Sequence, residues 1–197
     1  MIFNYFVSEN QFVIVGGFGR GSAPSVEVLN EYQHFNCNIP SCPITFGRPT
    51  GHSSTITSSG ILVCGGVYNQ QKDCYEYRSG DNGWTKIPSM TTQRDHFDMI
   101  YLKQKVYSVG GFGSSDSQNS MDIYDTYLKT WTKQSIPFNV SEHCMTQMSP
   151  NEFILIGGED RGANQNVITR KFQSNNSFFY ISQRKNLCKL SFLNLRV

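Results

Sequence analysis

Residues 98–137 read DMIYLKQKVYSVGGFGSSDSQNSMDIYDTYLKTWTKQSIP, and this stretch decides the fold. Asp98-Met99-Ile100-Tyr101-Leu102 and Val106-Tyr107-Ser108-Val109 are rich in apolar, β-branched and aromatic residues, and Lys103-Gln104-Lys105 lies between them. Two such runs around a short polar turn predict a hairpin. The second run ends in Gly110-Gly111, and a polar loop then leads to a third run, Met121-Asp122-Ile123-Tyr124. Past Tyr127-Leu128-Lys129 a fourth short strand is predicted around Trp131, closing on Ile136-Pro137. The stretch therefore reads as four strands in succession.

The same unit recurs on both sides. Phe12-Val13-Ile14-Val15-Gly16-Gly17, Ile61-Leu62-Val63-Cys64-Gly65-Gly66 and Phe153-Ile154-Leu155-Ile156-Gly157-Gly158 repeat the apolar run and its glycine pair. Successive first glycines, Gly16, Gly65, Gly110 and Gly157, are 49, 45 and 47 residues apart. One glycine pair means little, but four at a near-constant period mark a repeat architecture. Third strands are predicted at 26–29, 74–77 and 167–172. Tyr77 is followed by Trp84 and Tyr124 by Trp131, each seven residues on, and Phe172 and Phe179 keep that spacing. The first unit departs, since Leu29 would pair with Asn36. The approximate units are 1–42, 43–90, 91–138 and 139–183, leaving a degenerate tail at 184–197.

A four-stranded sheet cannot bury both faces by itself, so such units stack face to face about an axis. Glycine at the end of the second strand lets backbones pass where a side chain would clash. Trp84 and Trp131 are predicted to fill the wedge between units, where large rings bury most area. These glycines and aromatics are thus read as structural.

The double glycine, the Tyr…Trp pair and the period together resemble the kelch family, over roughly residues 1–179. The resemblance implies an all-β, kelch-type β-propeller with one four-stranded antiparallel blade per repeat. The chain supplies about four blades, whereas the family's rings imply six or seven. It is therefore read as a small ring or, preferably, an incomplete arc of a larger propeller, because an open arc leaves unpaired edges and a wet face.

Composition excludes several functions. The formal charge is +2, from 17 basic and 15 acidic residues. Lys and Arg do not cluster beyond Arg184, Lys185 and Lys189, so nothing calls for a nucleic-acid partner. The longest apolar runs are four residues, far short of the ~20 a spanning helix needs, so membrane insertion is not expected. Met1 to Phe6 has no basic residue, so no export signal is visible there. There are six cysteines. Cys64 closes a second strand and Cys74 opens the third of the same unit, which makes them candidates for a disulfide. The even count favours an extracellular or lumenal compartment over the cytoplasm.

Chemistry-bearing motifs are sparse. Cys37, Cys42 and His52 form the one compact metal-like group, and their spacing fits no zinc framework, so no metal or cofactor is expected. His52, His96 and His143 recur once per unit, which points to a shared structural role. Gly16-Gly17-Phe18-Gly19-Arg20-Gly21 looks like a dinucleotide fingerprint but lacks the following helix, and the repeat already accounts for its glycine pair. No catalytic triad sits in a recognisable motif. Some kelch-like propellers are enzymes of galactose-oxidase or sialate-isomerase type, but neither set of functional residues can be placed here.

What remains is binding. Function concentrates on loops held by a rigid scaffold. The loops after the second strands are 18–24, 67–72, 112–119 and 159–166; the links between units are 43–51, 89–95 and 138–142. Their aromatics and arginines, Phe18, Arg20, Arg48, Tyr68, Arg94, Phe112 and Arg161, are the candidate binding residues, because such residues are enriched in interface hot spots. The bland reading makes each of them a solvated loop residue or part of a packed collar. The expected function is a non-catalytic scaffold presenting propeller loops to a protein partner; the alternatives are a propeller enzyme and a truncated chain without independent activity.

Overall fold

The computed structural model describes residues 39, 40, 42, 43, 50–67, 72–113 and 118–159 fully. It describes the strand backbone alone for 4–8, 11–15, 26–30, 34–35, 169–173 and 177–181, together with the Val15 side chain. Every strand runs antiparallel to the one before it in its unit, as hairpins and short loops require. The first unit is β1 (Asn4–Ser8), β2 (Gln11–Val15), β3 (Val26–Asn30) and β4 (His34–Phe35), hydrogen-bonded in that order. The second is β5 (His52–Ile56), β6 (Ile61–Gly65), β7 (Cys74–Tyr77) and β8 (Thr85–Ile87), in the same order. The rest is one seven-stranded sheet: β9 (Asp98–Leu102), β10 (Lys105–Val109), β11 (Gln118–Asp125), β12 (Thr130–Ser149), β13 (Glu152–Glu159), β14 (Thr169–Gln173) and β15 (Ser177–Ile181).

That sheet corrects one expectation. The link at 138–142 was predicted as a loop, yet it lies inside β12, a strand of 20 residues. The first part of β12 pairs with β11 as the last strand of the third blade; the part from Ser141 pairs with β13 as the first strand of the fourth. Val140 carries the pairing across by opposing Gln118. A positive φ of 55° at Glu142 supplies the bend between the two halves.

Hairpin registers confirm the aromatic spacing in the middle of the chain and revise it at the ends. Tyr124 opposes Trp131, with ring centroids 4.9 Å apart. The Tyr77 and Trp84 centroids are 5.5 Å apart. In the first blade Leu29 opposes His34 rather than Asn36, and in the fourth Phe172 opposes Phe178 rather than Phe179. Those hairpins are shorter, so the seven-residue spacing does not carry over to them. Cys64 opposes Cys74 directly, and the two are joined by a disulfide.

Side chains alternate across each second strand, so each blade feeds two cores. Ile61 and Val63 pack with Val15, Cys42 and Trp84 against the first blade. Leu62 and Cys64 face the other way, with Phe97, Met99, Val106 and Tyr124 of the third blade. Tyr107 and Val109 continue the alternation, meeting Val140, Phe153 and Leu155 in the next seam. The three described cores are therefore the three seams between blades. Each tryptophan spans its seam: Trp84 Nε1 donates to the Pro40 carbonyl at 2.7 Å, and Trp131 Nε1 to that of Pro88 at 2.8 Å. The proline closing one blade thus caps the indole of the next.

First strands lie side by side along the axis, β1 by β5, β5 by β9 and β9 by β12. Just before or at the start of three of them sits a residue with positive φ: Gly51 (74°), His96 (50°) and Glu142 (55°). The His96 N–H donates to the Gly51 carbonyl at 2.8 Å, and the Glu142 N–H to the His96 carbonyl at 2.9 Å. This chain of backbone bonds passes from blade to blade. Asp98 adds a side-chain tie, accepting from Ser53 Oγ on β5, its neighbour's N–H at Met99, and the Met145 N–H on β12.

The left-handed conformation disfavours residues with a Cβ by about 1 kcal/mol. Glu142 is exposed, so Glu142→Gly should raise stability by about that amount, read as a shifted denaturant midpoint with unchanged slope. A lower midpoint would show that Glu142 earns its place through a contact.

Candidate functional site

In a four-stranded antiparallel blade, the turns after the first and third strands share one end, and the second-to-third loops and interblade links share the other. The second end is where the sequence placed its binding candidates. Its geometry begins with the glycine pair. Gly65 has φ 69°, and a Cβ there would lie 2.5 Å from both the Arg94 carbonyl oxygen and the Phe97 ring. Gly110 has φ 62°, and a Cβ there would overlap the Val140 carbonyl and approach His143 Cε1. One blade's second strand therefore ends directly beneath the ring and link of the next. Backbone bonds fix the approach: Gly66 N–H to the Arg94 carbonyl at 3.0 Å, and Gly111 N–H to the Val140 carbonyl at 2.8 Å.

The residue covering this junction is His52, Phe97 or His143. His52 opposes Gly65 within its own blade and sends Nε2 to the Val15 carbonyl of the first blade, 2.8 Å away. His143 opposes Gly157 in the same way. His96 does not belong to this set. It occupies the positive-φ position filled by Gly51 and Glu142, and Phe97 takes the covering role in the third blade. The histidine repeat was read one residue out of step there. His96 Nδ1 instead lies 2.6 Å from Asp95 Oδ1, and that hydrogen bond raises its pKa. Burial lowers the pKa of His52, and lowers that of His143 to about 3. Among the described residues, neither ring nitrogen of His143 has a hydrogen-bond partner.

Arg94 and Phe112 prove to be parts of the wall. Arg94 is 0% exposed. Its Nη1 donates to the Gly110 and Ser120 carbonyls and its Nη2 to Ser120 Oγ. Nε lies 3.6 Å from Asp122 Oδ2, an ion-pair distance too long for a hydrogen bond. Arg94 thus holds the glycine pair of the third blade with its side chain and that of the second with its carbonyl. Burial lowers its pKa, and the Asp122 carboxylate opposes that shift. Phe112 is buried, exchanges two backbone bonds with Asp95, and sets its ring 5.7 Å from that of His96. These two form the packed collar. Phe18, Arg20, Arg48, Tyr68 and Arg161, and the glycines Gly16 and Gly17, lie outside the described residues.

Outside that collar, segments from three predicted sites meet. A cleft of about 350 Å³ is lined by Lys72 from the 67–72 loop, by Thr91, Thr92 and Gln93 from the 89–95 link, by Gly113 and Gln118 from the 112–119 loop, and by Lys133. None of these lining residues is among the candidates chosen from the sequence for their Arg and aromatic character. A signal for Lys133 did exist. The Tyr124–Trp131 pairing puts Asp122 opposite Lys133, one hairpin step from the link.

Among the described residues, no three or more His, Cys, Asp or Glu side chains are grouped to hold a metal ion. Nor, among them, is any helix long and apolar enough to cross a membrane.

Stacked four-stranded blades around an axis define a β-propeller, and a solved chain shows the same arrangement. The structure of YjhT superposes with a TM-score of 0.63 at 13% identity, covering 74% of this chain and 54% of that one. A family model described as the kelch motif matches residues 94–136. Kelch-like protein 6 of Homo sapiens is 23% identical over 156 residues, and Kelch-like protein 35 of Mus musculus 26% over 158. These matches take in 75% and 79% of this chain but 25% and 27% of the relatives, so the chain spans about a quarter of their length. The F-box/kelch-repeat protein At5g39560 of Arabidopsis thaliana is 27% identical over 90 residues, 45% of this chain and 22% of that one. The motif match and these relatives support a kelch-repeat family.

Two predictions follow from the junctions. Arg94→Ala leaves Asp122 buried without its cation, and should cost about 3–5 kcal/mol of stability by denaturant titration. His143 titrates near 6.5 unfolded and about 3 folded, so the unfolded chain binds the extra proton and stability falls as pH drops from 6.5 towards 3. Asp98, raised by burial from 3.8 to about 6, acts oppositely, adding stability as pH falls from 6 towards 4. His143→Phe copies the Phe97 junction and removes two unpaired nitrogens. It should leave stability at pH 7 equal or higher and flatten the acid limb; an acid limb as steep as before would refute the assignment to His143.

Proposed function

We propose that this chain is a protein-binding scaffold, and that its partner docks on the end of the blades carrying the second-to-third loops and the links. The observation that carries this reading is the convergence of Lys72, of Thr91, Thr92 and Gln93, and of Gly113 and Gln118, from three separate stretches of chain, around one open cleft at the seam of the second and third blades. The junction beneath is rigid: the glycine pairs, Arg94 and Phe112 are fixed by internal hydrogen bonds. Loops on such a base can present side chains without a large ordering cost on binding. Two relatives bear names that join the repeats to other parts, the F-box/kelch-repeat protein and the Kelch repeat and BTB domain-containing protein F47D12.7 of Caenorhabditis elegans. Such pairings fit repeats that supply recognition.

The blade's other end offers a built-in comparison, because Tyr127 and Leu128 at the β11–β12 turn are 82% and 64% exposed. A photo-crosslinking amino acid placed at Gln93 or Gln118 should capture a discrete partner in cells expressing the chain, and the same group at Lys103 or Leu128 should not. Capture confined to the Lys103 and Leu128 positions would overturn the docking face.

A further inference from the structure

The cleft at the seam of the second and third blades has a chemistry that selects its occupant. It is lined by two lysines, two threonines, two glutamines and a glycine, with no carboxylate among them. The described carboxylates nearby, Asp122 and Asp73, are already engaged. Asp122 is fully buried and takes Thr91 Oγ1 at 2.5 Å, the Thr92 N–H at 2.9 Å and the charge of Arg94 at 3.6 Å. Asp73 takes Lys86 Nζ at 2.8 Å and Ser89 Oγ at 3.0 Å. Lys72 and Lys133 are both exposed, and neither makes an ion pair with a described residue. The cleft therefore presents two positive charges that no described carboxylate compensates, beside the Gln93 and Gln118 side-chain amides, each able to donate two hydrogen bonds.

We infer that this cleft receives the carboxylate side chains of an acidic segment in the protein partner. Two lysines on separate blades, with amide donors lining the same cleft, suit a pair of carboxylates on one extended strand. A nucleic acid fits less well. The cleft has no aromatic side chain on which a base could stack, and the chain's net charge is only +2. The inference rests on the docking face proposed above and names the chemistry of what docks there.

The test uses the whole chain and a fluorescein-labelled dodecapeptide alternating Glu and Ser, with a Gln and Ser peptide as its neutral counterpart. Fluorescence anisotropy should show the Glu peptide binding, weakening as salt rises from 50 to 300 mM, and the Gln peptide binding at least about tenfold more weakly. Lys72→Glu with Lys133→Glu should reduce Glu-peptide affinity at least about tenfold; both residues are exposed, so the melting temperature should hold within 2 °C. As a control of equal charge, Lys103→Glu with Lys105→Glu, on the opposite end of the third blade, should leave affinity within twofold. Equal binding of the two peptides, or equal losses in the two double variants, would overturn the inference. Tighter binding of a single-stranded oligonucleotide, lost in the Lys72/Lys133 variant, would overturn the choice of a peptide. Crosslinking at Gln93 or Gln118 that persists in the Lys72/Lys133 variant would leave the docking face standing while removing the acidic occupant.

Discussion

Everything described depends on how closely one blade's backbone passes the next at the end of the second strand. At Gly65 and Gly110 there is no room for a Cβ, because a neighbouring carbonyl and ring occupy its place. Two conditions coincide there. The chain turns through positive φ, and the next blade comes down onto the turn. A residue with a side chain would be strained by the first and expelled by the second. With glycine, the N–H of the following residue reaches the next link, and the blades are joined by backbone hydrogen bonds as well as by apolar area.

That junction also organises the polar interior. Arg94 lies where solvent cannot reach it, and its guanidinium exchanges water for two carbonyls, a hydroxyl and a carboxylate. Asp98 ties three neighbouring first strands at the axis with one carboxylate. These groups are costly to desolvate and would weaken the fold if left unpaired, so their contribution is to fix the register between blades rather than to add much net stability. His143 is the exception, a buried ring whose nitrogens meet no partner among the described residues, in a position that Phe97 fills without that cost one blade earlier.

The rigid collar and the cleft outside it divide the work. Residues that look like recognition groups in sequence, Arg94 and Phe112, hold the wall in place. Plainer residues, Lys72, Thr92, Gln93, Gln118 and Lys133, face the open space. Charge and amide groups thus lie on the open side of the collar, and the buried, hydrogen-bonded residues lie within it.

The period of the glycine pairs, the strand alternation and the Tyr–Trp hairpins were legible without coordinates, because they arise from local rules: φ above zero, a two-residue side-chain period and the reach of one turn. The Cys64–Cys74 bridge was legible for the same reason, as the two residues sit across one hairpin. Tertiary structure alone decided that β12 runs unbroken between blades, that Phe97 and not His96 covers its junction, and that Arg94 is buried. Those outcomes depend on which residue of one blade stands against which residue of the next, and contacts between residues some 45 positions apart leave no mark in local pattern.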